Sequence, residues 1–169
     1  MFEARALIKN SDEVKDKIEQ LGAKFIGSYS FIDYIFSRNP INLNKEFLRI
    51  REYSKNNWPT GKINLNYKIT DFTHNAKISK SIIKKEFEYL GDAFKFAIGL
   101  NFEKVLEFSR TGLEYKLDNH KLYFEAIENL GYSLEIETEN QFYIEETFTN
   151  LGLNRIGDSL PQLVFKTFK

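Results

Sequence analysis

The chain has 169 residues and a formal net charge of zero, because 24 lysines and arginines balance 24 aspartates and glutamates. The length is typical of a single domain, which we place over residues 1–169, and the balanced charge argues against a general nucleic-acid binder, which needs a basic excess. The absence of cysteine excludes disulfides and thiolate metal sites, and since no apolar run approaches the ~20 residues of a membrane span, we expect a cytoplasmic protein without a membrane partner.

The N-terminal residues predict a strand followed by a helix. Residues 2–6 alternate an apolar face with a face that carries Glu3 and Arg5, which is the pattern of a strand with one buried side. A helix then begins near Ser11, with acidic residues in its first turn, and Gly22 closes it.

The next part of the chain predicts paired strands with a basic face. Residues 25–36 are aromatic and β-branched and predict one or two strands. In the strand that follows, Arg49 and Arg51 share one face and apolar residues occupy the other. The polar residues 54–61 predict a hairpin turn to a strictly alternating strand at 62–69, so these two strands should be antiparallel neighbours.

The middle of the chain predicts a polar loop, an acidic strand and a short helix. Residues 71–81 are polar and predict a loop. The strand predicted at 82–90 carries Glu86 and Glu88 on one face, and a helix follows at 93–98.

The C-terminal part predicts a meander, a second acidic strand and two helices. A meander at 102–127 should turn at residues 110–112 and again at 118–120. The next strand carries Glu135 and Glu137 on one face, and a helix follows at 140–151. Pro161 fits the first turn of a last short helix.

The charges on the polar strand faces come in same-sign pairs, which is costly when like charges are adjacent on one sheet face. If the strands form one sheet that curls with its charged faces inward, the basic strands would bind an anion and the acidic strands a divalent cation. The chain shows two loosely similar halves, and these could close one antiparallel barrel of about eight strands. The alternative is that the charges only neutralise one another as internal ion pairs.

In this order, the motifs resemble those of the CYTH domain family, the triphosphate tunnel enzymes that include class IV adenylate cyclases and thiamine triphosphatases. Glu3-Ala4-Arg5 is similar to the second half of the family's opening E-x-E-x-K/R strand. The other matching segments are Asp33-Tyr34-Ile35-Phe36, Leu48-Arg49-Ile50-Arg51, Tyr67-Lys68, Lys84-Lys85-Glu86-Phe87-Glu88, Arg110 and Leu134-Glu135-Ile136-Glu137.

The resemblance implies an α+β fold with a closed or nearly closed eight-stranded antiparallel β-barrel and flanking helices. It also implies a small-molecule triphosphate or nucleotide as the ligand, and a homodimer, because family members are frequently dimers. The residues implied to bind the triphosphate are Arg5, Arg49, Arg51, Lys68 and Arg110, with Lys68 also the candidate catalytic residue. The residues implied to bind Mg²⁺ or Mn²⁺ are Glu3, Glu86, Glu88, Glu125, Glu135 and Glu137.

The sequence leaves the activity open between two reactions of a triphosphate. In a hydrolase, water attacks the terminal phosphorus, and in a cyclase the ribose 3′-hydroxyl attacks the α-phosphorus and releases pyrophosphate. One departure from the family pattern matters, because Met1 stands where the first glutamate of the opening motif would lie. The alternative function is therefore a non-catalytic polyphosphate or nucleotide binder that has lost a metal ligand.

Overall fold

The computed structural model describes residues 1–54, 61–72 and 77–168, and these residues form eight strands and four helices. The strands are β1 (Phe2–Ile8), β2 (Lys24–Ser37), β3 (Glu46–Tyr53), β4 (Ile63–Phe72), β5 (Lys77–Phe87), β6 (Glu103–Leu117), β7 (His120–Ile127) and β8 (Gly131–Thr138). The helices are α1 (Ser11–Gln20), α2 (Leu90–Gly99), α3 (Gln141–Leu151) and α4 (Leu160–Thr167). No helix in the described part of the chain is long and apolar enough to cross a bilayer.

The strands close into an eight-stranded antiparallel barrel in the order β1-β5-β4-β3-β2-β6-β7-β8. This confirms the fold class predicted from the sequence. The antiparallel pairing of β3 with β4 is also as predicted, with Arg51 opposite Asn64 and Arg49 opposite Asn66. Residues 55–60 of the predicted turn between these strands lie outside the described residues.

Two predicted elements were wrong. The structure has no turn at residues 110–112: β6 continues through them as one strand of 15 residues. The reason is that Leu106, Phe108, Arg110 and Gly112 keep the buried half of an unbroken alternation, and Gly112 does not adopt the positive φ that made a turn plausible. The loop predicted at 71–81 is also wrong at both ends, because β4 extends to Phe72 and β5 begins at Lys77.

The described chain divides into two compact units, and we describe each by itself. Unit 1 consists of Met1–Ser28, Asp71–Ser79 and Thr111–Gly157. In its core, Ile18 of α1 and Ile144 of α3 pack with Ala4 and Ala6 of β1, all of them almost inaccessible to solvent. Since side chains alternate along a strand, this packing assigns the opposite face of β1 to Glu3 and Arg5.

Unit 2 consists of Tyr29–Thr70, Lys80–Arg110 and Asp158–Lys169. In its core, Ala93 and Ala97 of α2 pack with Leu48 and Ile50 of β3 and Leu65 of β4. The small side chains of α2 allow the helix to approach the sheet closely. This packing uses the apolar face of β3 and leaves its opposite face to the arginines of the same strand.

Local interactions define the helix ends. The side chain of Asn10 accepts a hydrogen bond from the backbone N–H of Glu13 at 3.2 Å at the start of α1, and Asn140 does the same for Phe142 at 3.1 Å at the start of α3. Gly152 ends α3 in the left-handed region, with φ of 66°. These are the caps that satisfy the free backbone groups of a helix end.

Candidate anion and metal sites

The first candidate site lies in unit 1 and consists of Glu3, Glu125, Glu135 and Glu137 with the cations Arg5 and Lys77, which we call the carboxylate cluster. The pairing of β1 with β8 and β5 brings residues of this cluster together. On β1, Glu3 lies opposite Glu137 and Arg5 lies opposite Glu135, both on β8, while β5 places Lys77 opposite Glu3. Residues paired across two strands share a face, so all of these side chains project to the same side of the sheet.

Arg5 connects two of the carboxylates. Its guanidinium donates hydrogen bonds from Nη1 to Glu125 at 2.7 Å and to the hydroxyl of Ser133 at 2.6 Å, and from Nη2 to Glu135 at 2.5 Å. Arg5 and Glu125 are both buried, with 6% and 3% of their surface exposed. A buried arginine with two carboxylate partners is held in one orientation, so Arg5 positions Glu125 and Glu135.

The carboxylate of Glu3 has two contacts on β5. The ammonium of Lys77 forms an ion pair with its Oε1, and the hydroxyl of Ser79 donates a hydrogen bond to the same atom at 3.0 Å. The Glu3 side chain is 13% exposed and that of Lys77 is 17% exposed. The contact is therefore shielded from most of the solvent and is screened less than a surface pair.

Glu137 contacts a tyrosine of the neighbouring strand. Tyr123 of β7 donates a hydrogen bond from its hydroxyl to Glu137 Oε2 at 3.3 Å. Burial raises the pKa of the Tyr123 phenol well above its usual range, and the negative charges of Glu137, Glu114 and Glu135 raise it further. Tyr123 is thus a hydrogen-bond donor at neutral pH rather than a base.

Three of the carboxylates are close enough to share one metal ion. Oxygen atoms of Glu3, Glu135 and Glu137 all lie within 4.8 Å of one another. Two oxygens on opposite sides of a Mg²⁺ or Mn²⁺ ion are separated by about 4 Å, and both ions prefer oxygen ligands. The three oxygens therefore lie near the separations that ligands of one such ion adopt, and the donor set fits a hard divalent cation.

The second candidate site lies in unit 2 and consists of Arg49, Arg51 and Arg110 with the carboxylate of Asp33, which we call the arginine cluster. Two rows of residues cross its strands. In one row, Arg51 lies between Asp33 of β2 and Asn64 of β4. In the other, Arg49 lies between Ile35 and Asn66. Arg110 joins the cluster from β6, where its side chain is buried.

Asp33 holds two of the three arginines in place. Arg51 donates hydrogen bonds from Nε and Nη2 to the two oxygens of Asp33, at 2.7 and 2.9 Å. Arg110 donates from Nη2 to Asp33 Oδ2 at 2.5 Å. Both guanidiniums also lie over the ring of Phe31. The distance from the guanidinium carbon to the ring centre is 3.6 Å for Arg51 and 4.7 Å for Arg110. These contacts fix the direction of both arginines.

The charges of the cluster alter the ionisation of its members. Burial by itself would raise the pKa of the Asp33 carboxyl, but Arg51, Arg110 and Arg49 lower it far below its usual range. Burial lowers the pKa of Arg49 to about 10, and the positive charge of Arg51 adds to the effect. At neutral pH the cluster therefore has charged guanidiniums and one carboxylate, and the surroundings disfavour the charge of Arg49 while they favour that of Arg51.

Three polar side-chain atoms on the polar faces of β3 and β4 have no hydrogen-bond partner among the residues that the structure describes. They are Arg49 Nε, Asn64 Oδ1 and Asn66 Oδ1, and all three are inaccessible to solvent. A buried polar group without a partner costs about 1–3 kcal/mol. Three of them on two paired strands therefore indicate a site that a polar ligand completes. Either end of an asparagine amide can face such a ligand, because its oxygen and nitrogen exchange places by a flip of the side chain.

The structure divides the predicted site residues between the two units. In unit 1, Arg5 lies among Glu125 and Glu135, although the resemblance implies that it contacts phosphate. In unit 2, Lys68 lies on the same face of β4 as Asn64 and Asn66 and is partly buried. The convergence of all these groups in one cavity stays a prediction.

Glu86 and Glu88, the remaining predicted metal ligands, are exposed residues of unit 2. Glu86 lies near the end of β5 and forms an ion pair with Lys62 at 3.3 Å, with 67% of its side chain exposed. Glu88 follows the strand and lines, with Tyr53 and Tyr89, a cavity of about 690 Å³. Their role as metal ligands stays a prediction, as does that of Lys68 in catalysis.

The structure adds residues that the sequence patterns did not single out for a role. Asp33 was part of a matched motif, but nothing in the pattern showed that its carboxylate is a partner of two arginines. Asn64 and Asn66 stood on the polar face of an alternating strand, where surface asparagines are common. Lys77 lay in a segment predicted as a loop, and its position opposite Glu3 depends on a pairing that sequence alone does not reveal.

Solved structures share this fold, although no family model and no curated protein matches the chain. A protein of Pyrococcus horikoshii matches with a TM-score of 0.74 at 26% identity and covers 99% of both chains. A second protein of that organism matches with a TM-score of 0.80 at 19% identity and covers 98% of both. A protein from Hippeastrum, proposed to be an adenylyl cyclase and having a dominant triphosphatase activity, matches with a TM-score of 0.73 at 15% identity, over 99% of this chain and 96% of its own.

These matches span nearly the whole of the chain and of each neighbour. The chain therefore shares the fold of these neighbours, and its closed eight-stranded antiparallel barrel is the CYTH-like fold that the motif resemblance implied.

Proposed function

We propose that the protein is a metal-dependent enzyme that acts on a small-molecule triphosphate, inorganic or organic. The observation that carries the proposal is a set of buried atoms on β3 and β4 that have no partner among the described residues, namely Arg49 Nε, Asn64 Oδ1 and Asn66 Oδ1. A phosphate oxygen accepts the hydrogen bond of the arginine, and flipped asparagine amides donate to phosphate as well. One anion would thus satisfy several unpaired groups.

The charge of the arginine cluster supports an anionic ligand. Asp33 offsets only part of the positive charge of the three arginines, and its oxygens already accept from Arg51 and Arg110. Burial and the positive charge of Arg51 both lower the pKa of Arg49, and an anionic ligand would offset both effects. We therefore assign the principal phosphate contact to Arg49, with Arg51, Arg110 and Lys68 as further cations.

The carboxylate cluster supports the metal dependence. Glu3, Glu135 and Glu137 would hold one Mg²⁺ or Mn²⁺ ion, and Arg5 orients Glu135 through its ion pair. Such an ion, when bound, neutralises phosphate oxygens and stabilises charge that develops at phosphorus. The triphosphatase activity of the Hippeastrum neighbour favours hydrolysis over cyclisation as the reaction to test first.

A second function is favoured by two observations. Met1 stands where the opening motif of the family has its first glutamate, and Arg5 and Lys77 already neutralise part of the carboxylate cluster. Both features lower the negative charge available to a metal ion. A protein of this kind would bind polyphosphate or a nucleotide at the arginine cluster without turning it over.

The experiment that tests the proposal measures products and binding together. Phosphate release from tripolyphosphate, thiamine triphosphate and ATP is measured with Mn²⁺ or Mg²⁺, and cyclic AMP and pyrophosphate are measured in the ATP reactions. Thermal unfolding with tripolyphosphate is measured in parallel, since any ligand of the native state raises the midpoint.

The matched variants are Arg49→Gln and, as a control, Lys95→Gln on the exposed face of α2. Release of phosphate or cyclic AMP that Arg49→Gln abolishes and Lys95→Gln does not supports the enzyme. A raised midpoint without any product supports the binder. No shift and no product with any of the three compounds would leave only internal neutralisation of the charges.

A further inference from the structure

Lys77 contacts a carboxylate that also belongs to the candidate metal group. Its ammonium pairs with Oε1 of Glu3, and Glu3 shares the group of close oxygens with Glu135 and Glu137. The other two carboxylates of that group have different partners, Arg5 for Glu135 and Tyr123 for Glu137. Lys77 is thus a cation placed on one of the three candidate ligands.

Strand pairing places Lys77 next to Glu3, so the contact is not that of a mobile surface side chain. Lys77 lies directly opposite Glu3 in the β1–β5 pairing, and Ser79, two residues further on the same face, contacts the same carboxylate. Lys80 lies on the other face of β5 and is exposed. Of these two lysines, only Lys77 faces the carboxylate cluster.

We propose that Lys77 is a tethered cation that competes with a divalent metal ion for Glu3 and so sets the metal affinity of the carboxylate cluster. This inference rests on the proposed function, because it takes Glu3, Glu135 and Glu137 as the metal ligands. A metal ion that binds all three carboxylates must displace the ammonium from Glu3 or accept a positive charge a few ångströms away. Both lower the affinity, and the shielding of the pair from solvent strengthens the effect.

The test measures Mn²⁺ binding in the absence of any phosphate compound. Wild type, Lys77→Gln and the control Lys80→Gln are titrated with Mn²⁺ by calorimetry, and free Mn²⁺ is measured by electron paramagnetic resonance. Both substitutions remove one positive charge from β5, but only the first removes it from the cluster. We expect Lys77→Gln to bind Mn²⁺ about tenfold or more tightly than wild type, and Lys80→Gln to match wild type. Circular dichroism verifies that each variant is folded.

A double-mutant cycle tests whether Lys77 acts through Glu3. In the Glu3→Gln background, the Lys77→Gln substitution should change Mn²⁺ affinity by much less than it does in wild type, because the contested carboxylate is gone. A residue with a merely structural role would give the same change in both backgrounds. Equal changes would therefore overturn the proposal.

The outcomes separate this inference from the proposed function. If wild type binds Mn²⁺ and Lys77→Gln binds it equally or more weakly, the competition is overturned while the metal site stands. If only Lys77→Gln binds Mn²⁺, the competition is supported, and wild type is the non-catalytic binder. If neither protein binds Mn²⁺, this inference and the metal-dependent enzyme are both overturned.

Discussion

Glu3 on β1 lies directly opposite Glu137 on β8. Two carboxylates in this relationship repel each other, at a cost of about 0.2–1 kcal/mol in a sheet. The structure reduces this repulsion locally, since Lys77 contacts Glu3 and Tyr123 contacts Glu137. A divalent cation between the two strands would remove it more completely, so stability and metal binding should depend on this pair in opposite ways.

We therefore expect Glu137→Gln to leave the free energy of unfolding without metal unchanged or slightly higher than in wild type. The substitution should also abolish most of the rise in thermal midpoint that Mn²⁺ causes, because it removes a metal ligand. Thermal and urea unfolding with and without Mn²⁺ measure both effects. The control is Glu145→Gln on the exposed face of α3, which should retain the full shift. A variant of Glu137 that keeps the shift would contradict its assignment as a ligand.

Arg49 and Arg51 should respond differently to substitution, although they are neighbours on one face of β3. Arg51 donates two hydrogen bonds to buried Asp33, so Arg51→Ala leaves that carboxylate short of a partner and should cost about 3 kcal/mol or more of stability. Arg49→Ala removes a repelled charge and should cost much less. Urea unfolding of the two variants checks the difference in stability.

For tripolyphosphate binding, Arg49→Ala is the more informative of the two variants. We expect Arg49→Ala to remain folded and to lose tripolyphosphate affinity at least tenfold, since the arginine is the assigned phosphate contact. Loss of binding in Arg51→Ala is less informative, because it accompanies loss of stability. Calorimetric titration of Arg49→Ala with tripolyphosphate decides the matter, and wild-type affinity in this variant would refute the anion site.

The barrel was predictable because most strands show an unambiguous alternation. The periodicity that places Arg49 and Arg51 on one face of β3 also places Leu48 and Ile50 in the core, and the structure has both. The start of α1 at Ser11 was equally accessible, since the acidic residues of a first helical turn are a local signal. The prediction of a turn at residues 110–112 failed, because it relied on the glycine at 112. The alternation of buried and exposed residues continues through this position in β6.

The contacts of the candidate sites were not predictable in the same way. Whether Asp33 pairs with Arg110 depends on a separation of 77 residues in the chain, and the contact between Arg5 and Glu125 spans 120. Alternation shows that a side chain lies on the polar face but not which partner it meets there. Cross-strand register decides this, and register is a property of the assembled sheet.

Tyr123 offers a test of the negative charge around Glu137. Burial raises the pKa of its phenol, and Glu137, Glu114 and Glu135 add to the effect, so Tyr123 should stay protonated when ordinary tyrosines ionise near pH ~10. In an alkaline absorbance titration, Tyr123→Phe should therefore match wild type through that range. The variant should also be about 0.5–1.5 kcal/mol less stable, because it lacks the hydrogen bond to Glu137. A smaller tyrosinate signal in the variant than in wild type would show that Tyr123 ionises at about pH 10, and it would contradict the raised pKa of this phenol.

Asp33 should make the stability of the protein depend on acid pH. Its folded pKa lies far below the unfolded value of about 3.9, because Arg51, Arg110 and Arg49 outweigh the effect of burial. A carboxyl whose pKa is depressed by folding stabilises the native state above its unfolded pKa, and this stability is lost as the pH falls toward the folded pKa. The contribution is thus complete above about pH 5 and declines by up to about 1.4 kcal/mol per pH unit below about pH 4.

We therefore expect Asp33→Asn to be less stable than wild type at neutral pH and to show a flatter loss of stability in acid. The difference in unfolding free energy between the two proteins should narrow steadily from about pH 4 to about pH 2. Only wild type has the Asp33 carboxyl, and its stabilising contribution is lost over this range. Urea unfolding at a series of pH values measures it. Asp16→Asn, on the exposed face of α1, is the matched control and should follow wild type throughout. A constant difference between wild type and Asp33→Asn would show that the arginines do not depress this pKa, and the charge balance of the arginine cluster would have to be assigned differently.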